Sequence, residues 1–321
     1  MDRAGRLFCV IPAFRAAATI ADVVTQALRY APSVVVVDDG CPQKTGAVAR
    51  AAFAGADNVF VLERERNGGV GAAMKTGIAF CIDKGADVIV KLDADGQMDP
   101  TFIPVIADFF AGDPTLVCVK GNRFFDSTVM LRMPKRRLFG NAVLSMLTKF
   151  ASGYWNIVDP TNGYLAFNAR LLAALPWRAF ANSYFFEISV LCELGLRRLP
   201  ILELEMPTIY NGAPSSLSIP KVLWEFPWRL LRLTLRRMAL QYFVFDVNLA
   251  SLYLLFGALL LLAGGGWGAY QWIVSSITHV SRSTGTVMLA VLPFLMGFQL
   301  ILNALMYDVQ FAQKTNRLTL V

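Results

Sequence analysis

Apolar, β-branched runs alternate with alanine-rich segments along the first third of the chain. The alanine-rich segments cover residues 17–30, 45–54 and 71–84 and are typical of helices. The apolar runs predict strands at residues 7–11, 34–37, 59–62, 88–92 and 116–119. Alternation of apolar strands with helices predicts an α/β fold with a mostly parallel sheet covered on both faces. Ligands are then expected at the carboxyl ends of the strands.

The pattern becomes less regular after residue 119. Residues 133–150 and 184–196 are predicted to be helices, and residues 163–167 and 201–206 to be strands. Residues 221–245 alternate Leu, Trp and Phe with Arg, which predicts a helix in a membrane interface with its arginines toward anionic headgroups. The alternative is a plain basic flank that stops transfer across the membrane.

The C-terminal part of the chain is apolar enough to enter a bilayer. No Asp, Glu, Lys or Arg occurs from residue 247 to 281, and residues 252–268 and 285–306 each predict one spanning helix, joined by a polar turn at 275–283. A span of about 20 apolar residues matches the bilayer core. The hydrophobic fraction of 55% and the mean hydropathy of +0.49 agree with a chain that lies partly in lipid.

The sequence therefore predicts three parts. They are an α/β domain at residues 1–219, a basic amphipathic interfacial segment at 220–246, and a transmembrane hairpin at 247–321 with spans at about 247–270 and 285–307 and a short tail. Basic residues flank both ends of the hairpin: Lys221, Arg229, Arg232, Arg236 and Arg237 before it, and Lys314 and Arg317 after it. The positive-inside rule then predicts an integral membrane protein with the α/β domain and both termini in the cytoplasm. No cleaved targeting peptide is expected, since the N-terminus lacks a long apolar signal region.

Cysteine and histidine usage narrows the chemistry. The five cysteines are scattered without a CxxC spacing, which indicates reduced thiols and no zinc site. The single histidine, His279, falls in the predicted turn of the hairpin. The α/β domain must therefore work without a histidine base, which excludes most hydrolase mechanisms.

The most informative motif follows the fourth predicted strand. Asp93 and Asp95, two residues apart after an apolar run, can share a nucleotide diphosphate and its divalent ion, and Gln97 adds a further oxygen ligand. An ordinary solvated turn is the alternative.

Two further motifs follow strands. Asp38, Asp39 and Gly40 end the second strand, where an acid can accept hydrogen bonds from a base or ribose, although a simple turn explains them equally well. Residues 67–76 are glycine-rich and miss both the dinucleotide-binding and the P-loop signatures by one residue each. We interpret them as a helix N-terminus near a phosphate, against the alternative of a glycine turn.

Taken in order, these motifs resemble a known family. Val10-Ile11-Pro12-Ala13-Phe14, Val37–Gly40, Arg66–Ala73 and Asp93–Pro100 resemble the inverting family 2 glycosyltransferases of the type-A fold, a Rossmann-like domain with a mostly parallel sheet. Gly121–Phe124, Lys135–Arg137 and Asp159–Tyr164 are similar to the dolichol-phosphate mannose synthase branch. The resemblance covers about residues 7–220.

The resemblance implies metal-dependent transfer of a hexose, with inversion, from a nucleotide-sugar such as GDP-mannose or a UDP-sugar to polyprenyl or dolichyl phosphate. It implies a Mg²⁺ or Mn²⁺ cofactor on Asp95 and Gln97, and catalytic roles for Asp93, Asp95, Arg123 and Asp159. The nucleotide-sugar would be bound by Pro12, Phe14, Asp38, Asp39, Gly40, Asn67, Gly71, Lys75 and Asp93, and the acceptor phosphate by Arg123, Arg136 and Arg137. A solvated basic face is the alternative for residues 135–137, and an ordinary Asp-Pro turn for Asp159.

The chain departs from the family pattern at two places. Arg15-Ala16 stands where many relatives have Asn-Glu, and Cys41 replaces the usual Ser after Asp-Asp-Gly. Base and donor preference therefore stay open. Other readings are a processive polysaccharide synthase, for which the chain lacks Gln-x-x-Arg-Trp and has too few spans, an oxidoreductase, and an inactive membrane protein that binds nucleotide-sugars. A lipid bilayer is an expected partner, nucleic acid is not, and self-association is left open.

Overall fold

The computed structural model describes residues 6–124, 135–207, 219–312 and 316–318. The chain forms two compact units, one of residues 1–233 with 313–321 and the other of residues 234–312. The predicted domain boundaries stay predictions beside this division.

The first unit is built on alternating strands and helices. Its N-terminal half contains β1 (Leu7–Ala13), α1 (Ile20–Ala27), β2 (Ser33–Asp38), α2 (Thr45–Ala52), β3 (Val59–Glu63), α3 (Val70–Asp83), β4 (Val88–Lys91), α4 (Phe102–Gly112) and β5 (Cys118–Asn122). It continues with α5 (Lys135–Ser152), β6 (Leu165–Asn168), α6 (Ala169–Ala173), a 3₁₀ turn (Trp177–Ala179), α7 (Phe186–Leu196), β7 (Ile201–Glu205), the first part of α8 (Ile219–Leu240) and β8 (Asn316–Leu318).

One sheet joins all the strands in the order β3-β2-β1-β4-β6-β5-β7-β8. Strand β6 is antiparallel to β4 and β5, and the other pairs are parallel. Two buried clusters, one around β1 with α1 and α4 and one around β6 with α3 and α7, cover the sheet on both faces. The predicted mostly parallel, doubly covered sheet is confirmed.

Helices α4 and α6, the 3₁₀ turn and strand β8 were not predicted from the sequence. Helix α4 begins with Phe102-Ile103-Pro104, and the proline is tolerated because the first amides of a helix need no helical acceptor. Helix α6 has only five residues. Strand β8 has three residues and depends on pairing with β7.

The second unit contains the end of α8, a π-helical turn (Gln241–Phe245), α9 (Leu249–Thr278) and α10 (Thr284–Gln310). Both α9 and α10 are long and apolar enough to cross a membrane, as predicted. Helix α9 runs further than expected, to Thr278, whose hydroxyl donates to the Val274 carbonyl at 2.7 Å. It ends at His279, which has a left-handed backbone with φ of 53°.

One arginine of α8 differs from the prediction. Arg237 is 2% exposed and donates to both carboxylate oxygens of Asp308 in α10, at 2.7 and 2.8 Å. Gln241 accepts from the same guanidinium, and the Tyr242 hydroxyl donates to Asp308. The expectation that the α8 arginines face lipid headgroups is therefore wrong for Arg237, because a buried carboxylate binds it.

Candidate active site

Four parallel strands deliver polar residues to one edge of the sheet. Strands β1, β2, β4 and β5 run in the same direction, so their carboxyl ends meet at this edge. Beyond these ends lie Phe14, Asp39, Asp93 and Arg123. The structure thus brings together the residues that the sequence placed at strand ends.

The side chains of Asp38 and Asp39 are buried and hold two loops in place. Asp38 accepts the backbone N–H groups of Cys41 and Gly46 at 2.7 and 2.6 Å. Asp39 forms an ion pair with Arg64 and accepts the N–H groups of Gly68 and Gly69. Asp38 therefore fixes the loop after β2, and Asp39 fixes the loop after β3.

The glycine-rich turn at the start of α3 makes several contacts within the protein. The amides of Gly68 and Gly69 donate to Asp39, and that of Ala72 donates to the Asn182 carbonyl at 3.0 Å. A side chain at Gly71 would overlap the Ala181 carbonyl, which explains the glycine. Three amides of this turn therefore have protein acceptors, and the interpretation as a helix N-terminus near a phosphate stays a prediction.

Asn67 and Lys75 also make protein contacts in this region. The Asn67 side-chain oxygen accepts the Gly69 N–H at 3.0 Å, and Lys75 Nζ donates to the Asn182 side chain at 2.8 Å. Burial lowers the pKa of Lys75 below its ordinary value. Their assignment to the nucleotide-sugar stays a prediction.

Phe14 presents an exposed ring at the end of β1. Its exposed fraction is 40%, and the Arg15 guanidinium lies 5.3 Å from the ring centroid. Arg15 has a φ of 57°, and its N–H donates to Cys41 Sγ at 3.0 Å, while Cys41 Sγ lies 3.1 Å from the Thr45 hydroxyl. Cys41 therefore acts as a polar link between the loops after β1 and β2. Pro12, within β1, and Gly40, with φ of 62° and no room for a side chain against Arg66 and Asn67, shape the same loops.

Asp93 and Asp95 follow β4 in different environments. Asp93 accepts from Lys91 Nζ at 2.6 Å and its side chain is 35% exposed. Asp95 accepts the Gln97 N–H at 3.0 Å. Burial, together with the charge of Asp93, raises the pKa of Asp95 above the ordinary aspartate value. The nearby charge of Lys91 opposes these two effects but does not outweigh them.

The residues present fit a Mg²⁺ or Mn²⁺ ion that shares its ligands with a substrate. Among the described residues, no group of three or more His, Cys, Asp or Glu side chains could hold an ion by itself. Mg²⁺ sites commonly use one or two carboxylates and complete their shell with substrate phosphates and water. Asp95, with Asp93 and Gln97 nearby, supplies hard oxygen ligands of that kind.

Arg123 and Asp159 form a paired unit on the other side of β6. Asp159 is 0% exposed and accepts from Arg123 Nε and Nη2 at 2.8 and 3.1 Å. Arg123 also donates to the Thr161 hydroxyl at 3.3 Å. Burial alone would raise the pKa of Asp159, but the Arg123 guanidinium outweighs it and holds the pKa below its ordinary value. Asp159 is thus an orienting anion for Arg123 and is unsuited to accept a proton.

The remaining predicted phosphate ligands cannot be compared with the structure. Arg136 and Arg137 lie in the first turn of α5, and their side chains are outside the described part of the chain. Their role stays a prediction.

Sequence reasoning missed four buried charged residues beneath the site. Lys91 contacts Glu187 at 3.2 Å, Lys120 donates to the Asn162 carbonyl at 2.6 Å, and Glu203 accepts the Val158 and Asp159 N–H groups. A lysine or glutamate inside an otherwise apolar strand or helix was the only available signal. With Asp93, Asp95, Arg123 and Asp159 they form one electrostatic network at the carboxyl ends of β4 and β5.

Comparisons with known proteins point to one family. Residues 8–175 match the family described as glycosyl transferase family 2. The polyprenol monophosphomannose synthase of Mycolicibacterium smegmatis is 30% identical over 58% of this chain and 70% of its own. A UDP-N-acetylglucosamine–dolichyl-phosphate N-acetylglucosaminyltransferase of Methanococcus voltae is 27% identical over 64% of this chain and 86% of its own.

A solved structure confirms the fold. Glucosyl-3-phosphoglycerate synthase from Mycobacterium tuberculosis, solved with Mn²⁺ and UDP-glucose, superposes with a TM-score of 0.54 at 21% identity, over 73% of this chain and 79% of its own. With the strand-end carboxylates and the match over half of the sequence, the chain belongs to glycosyl transferase family 2 and is a glycosyltransferase with a type-A fold.

Proposed function

We propose that the chain transfers a hexose from a nucleotide-sugar to a polyprenyl or dolichyl phosphate, with inversion, to make a lipid-linked monosaccharide. The relatives named for polyprenol and dolichyl-phosphate acceptors support this acceptor class. Two helices of membrane length support a lipid acceptor.

The observation that carries the proposal is the spacing of Asp93 and Arg123. They follow β4 and β5, which run in the same direction with only β6 between them. Two strand spacings amount to about 10 Å, which leaves room for a hexose between a donor diphosphate near Asp93 and an acceptor phosphate near Arg123.

On the donor side, the exposed ring of Phe14 offers a face on which a base can stack. Asp95 and Gln97 would hold Mg²⁺ or Mn²⁺, and a bound ion there would neutralise charge on the leaving diphosphate. The proposed donor is GDP-mannose or a UDP-sugar.

On the acceptor side, little acid–base chemistry is needed. A phosphomonoester with a second pKa of about 6 is already largely deprotonated near pH 7. One of its oxygens forms the bond to the anomeric carbon as the bond to the nucleotide diphosphate breaks, and this single displacement inverts the centre. Arg123, held by Asp159, and the basic Arg136 and Arg137 would bind the acceptor phosphate, since guanidinium forks pair well with phosphate oxygens.

We also propose that α9 and α10 span the membrane, with the glycosyltransferase domain and both termini in the cytoplasm. The basic residues on both sides of the hairpin support this orientation. The pairing of β8 with β7 also supports it, because the tail after the hairpin belongs to the same unit as the domain. Protease digestion of a C-terminal tag in sealed inverted vesicles tests it, and protection of the tag would contradict it.

The decisive experiment for the reaction incubates purified protein with labelled GDP-mannose, UDP-glucose or UDP-N-acetylglucosamine, Mn²⁺ and a polyprenyl phosphate. A chloroform-extractable, mild-acid-labile product from one donor is expected, and none with Asp95→Asn. A product that stays in the aqueous phase on a glycan acceptor would favour a polysaccharide synthase instead. Donor binding without turnover on any acceptor would indicate an inactive sugar-nucleotide-binding protein.

A further inference from the structure

Two fully buried lysines lie side by side beneath the candidate active site. Lys91 ends β4 and Lys120 lies in β5, and both are paired in register with Leu165 of the intervening β6. Residues in register on neighbouring strands project to the same face of a sheet. Their exposed fractions are 1% and 0%. Lysines are almost never fully buried unless they are paired, so these two need a reason.

Lys91 connects Asp93, on the donor side, to the segment of residues 159–163. Its Nζ lies 2.6 Å from Asp93 Oδ1, 3.2 Å from Glu187 Oε1 and 2.9 Å from the Gly163 carbonyl oxygen. An ammonium group has three protons, so these three acceptors satisfy it. Burial alone would lower the pKa of Lys91, but the two carboxylates raise it, and the group stays charged.

Lys120 contacts the neighbouring residue of the same segment. Its Nζ donates to the Asn162 carbonyl oxygen at 2.6 Å. Burial lowers the pKa of Lys120, against the opposing charges of Asp159, Glu187 and Glu203. Two lysines from strands on either side of β6 therefore donate to two consecutive carbonyls.

The segment that they bind carries the acceptor side of the site. Residues 159–163 begin with Asp159, which orients Arg123, and end at Gly163, just before β6. Their other end is fixed by Glu203, which accepts the Asp159 N–H at 3.1 Å. A side chain at Gly163 would lie 2.7 Å from Asp93 Oδ2 and 2.8 Å from Lys91 Nζ. The segment is therefore packed directly against the carboxylate of Asp93.

We propose that Lys91 and Lys120 are positioning residues that fix residues 159–163, and thereby set the position of Arg123 relative to Asp93. This inference rests on the proposed function, since it assigns Arg123 to the acceptor and Asp93 to the donor. Lys91 contacts both sides, whereas Lys120 contacts only the acceptor segment in its hydrogen bond to Asn162. The two lysines should therefore give different kinetic defects.

The test compares Lys120→Met with Lys91→Met. Methionine keeps an unbranched side chain of similar length and removes the amino group. Lys120→Met is expected to bind the nucleoside diphosphate and Mn²⁺ within about twofold of wild type by calorimetry, while kcat/KM for the isoprenoid phosphate falls at least about tenfold. Lys91→Met is expected to lose both donor affinity and transfer. Lys91→Arg, which keeps the charge, should recover donor affinity in part.

Tyr154→Phe is the matched control. Tyr154 is 1% exposed and lies in the buried cluster around β6, α3 and α7. Its hydroxyl donates to the Leu199 carbonyl at 2.5 Å, away from residues 159–163. It loses a buried hydrogen bond as Lys120→Met does, so both variants are expected to lose thermal stability. Only Lys120→Met should lower kcat/KM for the isoprenoid phosphate.

Three results would overturn the proposal: wild-type acceptor kinetics in Lys120→Met, a parallel loss of donor affinity in that variant, or an equal kinetic loss in Tyr154→Phe. If Lys120→Met does not fold, Lys120→Gln carries the test, because its shorter donor should still lower kcat/KM for the acceptor with donor affinity unchanged. The wild-type protein is assayed first. No lipid product from it refutes the proposed function and the acceptor role of this segment, whereas wild-type transfer with unchanged Lys120 variants refutes the positioning role alone.

Discussion

The pair of Arg123 and Asp159 gives the sharpest prediction for stability and activity together. In Asp159→Asn the side chain keeps its shape, but the carboxylate that accepts from Arg123 Nε and Nη2 is replaced by a neutral amide. Asp159 is 0% exposed, and the Arg123 side chain is 28% exposed. Removing one partner of a buried ion pair costs about 3–5 kcal/mol, and the partial exposure of Arg123 favours the lower end, about 3 kcal/mol.

For a unit of this size, about 3 kcal/mol corresponds to a fall in Tm of about 6–12 °C. The assay is thermal unfolding of the full-length protein in detergent, with the exposed Asp57→Asn as control, together with transfer kinetics at saturating donor. The acceptor kcat/KM of Asp159→Asn should fall by at least about tenfold, because Arg123 loses its fixed orientation.

The lowered pKa of Asp159 predicts how the Tm difference between wild type and Asp159→Asn depends on pH. A carboxyl with a folded pKa below its unfolded value of about 3.9 stabilises the fold fully above that value and loses the contribution as pH falls through the folded pKa. The Tm difference between wild type and Asp159→Asn should thus stay constant from pH 6 to 8 and shrink only in strong acid. A Tm loss equal to that of Asp57→Asn, or a difference that varies between pH 6 and 8, would refute the reasoning.

Three further predictions concern other parts of the chain. The apparent Mn²⁺ affinity, titrated with nucleotide present, should begin to weaken at a higher pH than it would with an ordinary aspartate, because the pKa of Asp95 is raised. An affinity that does not change down to pH 4 would contradict this. Gly71→Ala should cost about 1–3 kcal/mol through overlap with the Ala181 carbonyl, measured by thermal unfolding against Gly112→Ala, where a side chain would meet nothing within 4 Å. Arg237→Met and Asp308→Leu should each destabilise the second unit more than the double variant does, because each single change leaves a buried charge unpaired; additive losses in detergent unfolding would contradict this.

The sequence predicted the features that depend on local patterns. Apolar strands, alanine-rich helices, both long apolar helices and the acidic pair after β4 each occupy one short stretch of sequence. Their positions at one sheet edge follow from the general behaviour of parallel strands.

Features that depend on distant partners could not be predicted. Lys91 looks like a solvent-facing strand end until Glu187 and Gly163 are brought beside it. The contact between the glycine turn and Asp39 could not be expected, because nothing in the sequence of the turn reveals that Asp39 accepts two of its amides. Arg237 likewise looked like a headgroup ligand, although its partner Asp308 lies near the end of α10.

Strand β8 has a consequence for how the protein is made. Its three residues follow both long apolar helices in the chain, yet they form the last strand of the domain sheet, beside β7. During synthesis the sheet is therefore completed only after the hairpin has left the ribosome, and until then β7 is an unpaired edge, the kind of surface that promotes association between chains. We therefore expect deletions or fusions that disturb residues 316–318 to leave that edge of β7 unpaired and to promote aggregation even when both long apolar helices are intact.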